Sequence, residues 1–196
     1  MRLFVALDIP NETRDALAQL IARLKPKCPM AKWVRPESMH VTLKFIGHTA
    51  EENLPAIKTA LAQTRSPKPI DMHFRGLGFF PNEKHPRVFW CGIDISPNAA
   101  PIAAEIDSAL EQLGIPPETH AFAPHLTLAR LYSHDRPPRG GLQDCLAEIT
   151  AAARESVSKS FGTTRTSEFH LFESKLKPPG AEYTCLQTFP FAEALV

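Results

Sequence analysis

The run MHVTLKF (residues 39–45) returns, altered but recognisable, as PHLTLAR (residues 124–130). Each holds a His-x-Thr-Leu core inside a short apolar stretch, and the two histidines, His40 and His125, lie 85 residues apart. In a strand, side chains i and i+2 share a face. Alternation therefore sets His40, Thr42 and Lys44 on one face, with Val41, Leu43 and Phe45 on the other. It likewise sets His125, Thr127 and Ala129 against Leu126 and Leu128. Each strand has a core face and a face of proton-handling groups. A chain that writes this pattern twice predicts a duplicated fold.

The flanks repeat as well. RLFVALDI (2–9) matches RVFWCGIDI (87–95), with Phe4 and Phe89 again 85 residues apart. After the first of these, Ala16, Leu17, Leu20, Ile21 and Leu24 give a helical period that Pro26 ends. The first histidine strand follows, then a helix over 51–65 and strands at IDMHFRGLGFF (70–80) and RVFWCGIDI. The order then restarts with an amphipathic helix over 98–114, a strand over 124–132 and a helix over 142–154. Strands at SEFHLFESKL (167–176) and EYTCLQTFPF (182–191) complete it. The period is too long for a solenoid unit, and no Gly/Ser linker divides the halves. The expectation is one α+β domain over residues 1–196. Its two interleaved lobes are related by a pseudo-two-fold axis, with the repeat boundary near residues 87–97. Each lobe presents an antiparallel-rich sheet to a central cleft and keeps its helices outside. Such a duplication supplies a two-fold cleft without a dimer, which predicts a monomer.

Bulk properties narrow the function classes. The chain is 43% apolar and 22% charged with a net charge of +1, so no global field advertises a long duplex as partner. Nineteen prolines, about twice the usual share, cluster in PKPI, RPPRGG and KPPG and predict stiffened loops. The N-terminal apolar run is too short for a membrane span and has no signal-peptide pattern, so the cytoplasm is expected. Cys28, Cys91, Cys145 and Cys185 form no CxxC pair, which predicts reduced, mostly buried thiols and no structural zinc. The remaining histidines (His48, His73, His85, His120, His134, His170) share no ligand spacing and there is no HExxH, so no metal is expected.

Two imidazoles and two hydroxyls facing one another suit phosphate ester chemistry. A neutral imidazole can take a proton from a nucleophile while a protonated one gives a proton to a leaving oxygen. The hydroxyls can hydrogen-bond the non-bridging oxygens as charge builds there.

His40-Val41-Thr42-Leu43 and His125-Leu126-Thr127-Leu128 resemble the paired H-x-T-x motifs of the 2H phosphoesterase superfamily. RLFVALDIP, WVRPESMHVTLKFIG, FPNEKHPRVFW, FAPHLTLARL and SKLKPPGAEYTCL, in that order, resemble its RNA 2′,3′-cyclic phosphodiesterase branch, also called 2′-5′ RNA ligases. The resemblance implies hydrolysis of an RNA-terminal 2′,3′-cyclic phosphate to a 2′-phosphomonoester, without metal or other cofactor. It makes His40 the proton donor, His125 the proton acceptor, and Thr42 and Thr127 the groups that hold the phosphate oxygens. The residues alone leave the acid and base interchangeable. Arg130 corresponds to a basic residue of the family's HLTLAR segment. Five residues from His125, an ideal strand would point it away, and a bulge is needed to return it. A 5′-hydroxyl in place of water would join RNA ends without ATP, and the chain has no P-loop motif.

The implied partner is RNA with a cyclic phosphate end, tRNA fragments among the candidates, or a small cyclic nucleotide. The alternatives are a phosphodiesterase for a small cyclic nucleotide or 2′-5′ oligonucleotide, and a non-catalytic module that binds RNA ends. Phe122 and Tyr183 are candidates to stack on a base. Lys44 could supply charge near the phosphate, Phe45 belongs to the core, and KHPR (84–87) and RPPR (136–139) are basic loops.

Overall fold

The computed structural model describes residues 1–66, 68–131, 141–177 and 180–191. The chain runs β1 (Arg2–Leu7), α1 (Asn11–Leu24), β2 (Lys32–Trp33), β3 (Val41–His48), α2 (Leu54–Leu61), β4 (Ile70–Phe80) and β5 (Val88–Ile95). It continues with α3 (Ala99–Glu111), β6 (His125–Arg130), α4 (Leu142–Glu155), β7 (Ser160–Thr166), β8 (Glu168–Lys177) and β9 (Gly180–Pro190). Two antiparallel sheets result, ordered β3-β1-β8-β9 and β2-β6-β5-β4-β7. Read together, β3, β1, β8 and β9 of one correspond to β6, β5, β4 and β7 of the other. The fold is two-lobed α+β, as the repeated pattern predicts.

Each sheet is covered on its outer face by helices from different parts of the chain. Helix α1 packs on β7 and α4 on β4, while α3 packs on β3 and α2 on α3. Strand β1 shows why the sheets hold. Leu3, Val5 and Leu7 enter the helix-side core, while Phe4 and Ala6 on the opposite face are also buried. A strand buried on both faces reads as a continuous apolar run. Leu17, Leu20, Ile21 and Leu24 of α1 and Ile102, Ile106 and Leu110 of α3 bring the matching helical stripes.

The structure departs from the sequence reading in several places. The pattern missed β7, because SFGTTRT carries a single buried apolar residue, Phe161, on an edge strand. Gly162 there has φ +126° and lies against Thr13 of α1, so a side chain would meet the helix. The expected helix over 51–65 opens as a 3₁₀ turn at Glu51–Asn53 and ends at Leu61. Cys28 and Cys145 are disulfide-bonded rather than reduced, with Cα atoms 4.7 Å apart. Their 117-residue separation hides a meeting between the turn after α1 and helix α4 on the back of one sheet. Cys91 is buried and free, and Cys185 is exposed. No helix among the described residues is long and apolar enough to cross a membrane.

Candidate active site

Cross-strand partners share a face, so the register tells which side each residue takes. On β5, Phe89 and Cys91 are fully buried in the core, so Val88, Trp90 and Gly92 face the other way. Strand β6 pairs His125 with Gly92, Thr127 with Trp90, then Ala129 with Phe89 and Arg130 with Val88. Leu128 is passed over, and this register shift returns Arg130 to the face of His125 and Thr127. Strand β3 does the same against β1. Thr42 pairs with Ala6, Leu43 is passed over, and Lys44 pairs with Val5 and Phe45 with Phe4.

This duplicated bulge corrects two residues of the alternation reading. Lys44 does not lie on the histidine face: it is 1% exposed and turned to the core side. Its ammonium donates to the Pro116 carbonyl at 2.6 Å and lies 2.5 Å from Asp107 Oδ1 and 3.8 Å from Glu118 Oε1. Phe45 is not a core residue but 56% exposed on the cleft face. Thr42 and Thr127 stay half-buried beside the histidines.

The two histidines are held alike. His40 Nδ1 lies 2.8 Å from the Ser38 carbonyl, and His125 Nδ1 lies 2.8 Å from the Ala123 carbonyl. A carbonyl only accepts, so each Nδ1 must carry the hydrogen, which leaves each Nε2 free for chemistry. Both rings sit on aromatic beds. His40 lies 4.5 Å from the Phe4 centroid and 5.1 Å from Tyr183, and His125 meets Phe80 edge-on at 4.9 Å.

Burial pushes the His40 imidazole below its usual value; the Ser38 carbonyl and Asp8 oppose that, while His125 and Arg14 add to it. Strands β3 and β6 touch, and Thr42 of one and His125 of the other line one cavity. Arg14 also fixes the segment leading into His40, donating to the Pro36 carbonyl at 2.7 Å, the Met39 carbonyl at 3.4 Å and Asp8 at 2.8 Å.

Other residues reach the cleft without having been expected there. Phe4, Phe80 and Trp90 form its floor, and Gly78 leaves room for the Trp90 ring where a Cβ would collide. His170 pairs with Ala6 and so shares the His40 face, its Nδ1 2.9 Å from Thr188 Oγ1. His120 and Glu118 line the cavity beside His125. Of the two stacking candidates the sequence names, Tyr183 packs on His40, and Phe122 lines that cavity. KHPR forms the exposed tip between β4 and β5, whereas RPPR and His134 fall outside the described residues. Burial raises the Cys91 thiol to about 12, which removes it as a nucleophile at neutral pH. Among the described residues no three His, Cys, Asp or Glu side chains converge as a metal would require.

The model of the family described as LigT like phosphoesterase matches residues 7–90 and again 93–183. The RNA 2′,3′-cyclic phosphodiesterase of Methanothermobacter thermautotrophicus is 33% identical over 190 residues, covering 96% of this chain and 98% of that protein. The protein of the same name from Archaeoglobus fulgidus is 31% identical, covering 96% of this chain and 99% of its own. The crystal structure of TT0787 from Thermus thermophilus superposes with a TM-score of 0.76 at 32% identity, over 97% of this chain and 98% of that one. With near-full-length relatives and a family model spanning both halves, the chain belongs to the LigT-like phosphoesterases of the 2H superfamily.

Proposed function

We propose that this protein hydrolyses the 2′,3′-cyclic phosphate at an RNA end to a 2′-phosphomonoester, by acid–base catalysis between His40 and His125. The observation that carries the reading is the paired anchoring: each imidazole is held at Nδ1 by the carbonyl two residues upstream. Each then offers Nε2 from the same face as a threonine hydroxyl. The relatives named RNA 2′,3′-cyclic phosphodiesterase support the substrate class.

In the forward reaction, His125 Nε2 takes a proton from water as the water oxygen bonds to phosphorus. The bond from phosphorus to the 3′ oxygen breaks, and protonated His40 gives its Nε2 proton to that oxygen. The enzyme ends with the protons exchanged between the two rings, and solvent resets them. Thr42, Thr127 and Arg130 donate to the non-bridging oxygens as their charge grows, and the Arg130 guanidinium matches two such oxygens at once. If an RNA 5′-hydroxyl takes the place of water, the same displacement of the 3′ oxygen leaves a 2′-5′ linkage.

The test is hydrolysis of 2′,3′-cyclic AMP in EDTA by wild type, His40→Ala and His125→Ala, with the product isomer identified. The expected result is the 2′-phosphate, with each variant slower by about 10²-fold or more. An inert wild type, or variants that match it, sinks the reading in favour of a protein that only binds RNA ends.

A further inference from the structure

A cavity of about 480 Å³ opens beside His125 on the α3 side, inside the range of about 300–1,000 Å³ typical of small-molecule sites. Its lining mixes three kinds of chemistry. Thr42 and His125 bring the polar groups of the two histidine strands, Phe45 and Phe122 bring aromatic surface beside Ala100, Ala103 and Ala104 of α3, and Asp107, Glu118 and His120 add titratable groups. Two carboxylates repel phosphate, so the phosphate belongs beside the histidine. The aromatic and acidic lining suits a flat, uncharged group with amino hydrogens.

Phe45 is the one aromatic among the exposed large apolar side chains of the described residues. Its place is fixed from both sides. The backbone N–H of Phe45 approaches Glu118 Oε1 at 3.4 Å. Its neighbour Lys44 is pinned to Asp107 and the Pro116 carbonyl, and Asp107 accepts the Glu118 N–H at 3.1 Å. An exposed ring on a braced wall, one step from the reacting groups, is how single-strand binders present a stacking platform.

Resting on the cyclic-phosphate reading above, we propose that this cavity seats the base of the nucleotide whose phosphate lies between the histidines. The base stacks on Phe45, and Glu118 accepts hydrogen bonds from its edge. Guanine offers adjacent N1–H and N2 amino donors that match a carboxylate. Adenine offers an amino group and the same stacking area. Uracil presents one N–H between two carbonyl oxygens that the carboxylate repels, and its ring is smaller. The site therefore selects purines over uracil, with guanine first.

Binding of 2′-GMP and 2′-UMP, measured by calorimetry so that turnover plays no part, tests this directly. Wild type should bind 2′-GMP about tenfold more tightly than 2′-UMP. Phe45→Ala should lose most of that advantage, Phe45→Tyr should retain it, and Glu118→Gln should narrow the gap between the two bases. Equal wild-type affinities, no 2′-GMP binding, or an unchanged preference in Phe45→Ala each overturn the assignment. Cyclic AMP hydrolysis measured alongside keeps the two ideas apart. A protein that hydrolyses without discriminating bases loses this pocket and keeps its chemistry, and one that discriminates without hydrolysing loses the chemistry and keeps the pocket.

Discussion

Strands β3 and β6 are one design executed twice, and their chemistry parts company just past a shared bulge. Both follow a histidine anchored to the carbonyl two residues before it, both put a threonine beside it, and both pass over the next leucine. After that bulge one strand reads Lys44-Phe45 and the other Ala129-Arg130. The shared backbone repeats the anchored histidine and its threonine. The differing side chains break the symmetry where a substrate is itself asymmetric, with a cation on one side and a ring on the other. The sheet backs diverge too. A disulfide ties the turn after α1 to α4, whereas Lys44 ties β3 to α3 through Asp107.

Removing the staple on one back should have the largest effect. A cross-link between residues this far apart restricts the unfolded chain and stabilises by about 2–4 kcal/mol. The Cys28→Ala/Cys145→Ala double variant should lose that much in denaturant unfolding, while the purified wild type alkylates at two cysteines under denaturing, non-reducing conditions. Labelling of all four would show that no staple forms and that the two backs are held by packing alone.

Arg130 sharpens the comparison inside the cleft. Charge-assisted hydrogen bonds are worth about 1.5–3 kcal/mol each, so Arg130→Ala should cut kcat/KM for a cyclic nucleotide by about 10- to 100-fold. Arg130→Lys should recover only part, because an ammonium cannot match two oxygens as a guanidinium does. Full activity in Arg130→Ala would mean that the bulge returns the residue to the face but not to the phosphate.

Lys44 has no counterpart in the other half, where Ala129 fills the same buried position. Lys44→Met should leave Asp107 and Glu118 facing each other without a cation. Stripping one partner from a fully buried pair costs about 3–5 kcal/mol. Here Asp107 and Glu118 keep 21% and 42% of their side-chain surface exposed. A loss of about 1–2 kcal/mol is therefore expected, read as a lower urea midpoint at unchanged slope. Pairing it with Asp107→Leu should restore part of the loss. An unchanged midpoint in Lys44→Met would make the ion pair incidental to the fold.

The bulge also separates what was legible in the sequence from what was not. Period-two alternation located His40, Thr42, His125 and Thr127 on common faces, because all four precede the passed-over leucine. Beyond it the rule fails by one residue, so alternation alone turns Lys44 to the histidine face and Phe45 to the core, the reverse of their places in the fold. Nothing in HVTLKF or HLTLAR marks the extra residue, since a bulge is decided by the neighbouring strand's register. Other misses have the same root. Strand β7 owes its place to sheet pairing rather than to an apolar pattern of its own, and Cys28 and Cys145 meet only after both halves fold. His170 was legible in principle, because EFHLFE alternates and sets His170 and Phe172 together. What was missing was which face of that strand lines the cleft.

The smallest effect, and the one that decides which histidine plays which part, lies in pH dependence. Desolvation beside Phe4 and Tyr183 holds the His40 imidazole below its usual 6.5. If His40 is the acid, it must be protonated in the productive enzyme, so on the alkaline side kcat/KM follows the protonated fraction of His40 and rises when its pKa is raised. If it is the base, kcat/KM falls as pH drops through the same value. Tyr183→Ala should hydrate the ring and raise its pKa, whereas Tyr183→Phe should not. The His40 ring proton, followed by NMR in the free protein, reports the shift without any substrate. With His40 as acid, Tyr183→Ala should show a few-fold gain in kcat/KM relative to wild type on the alkaline side, matching the shift seen by NMR. If instead the variant loses activity on the acid side and gains none on the alkaline side, the two halves keep their geometry and exchange their roles.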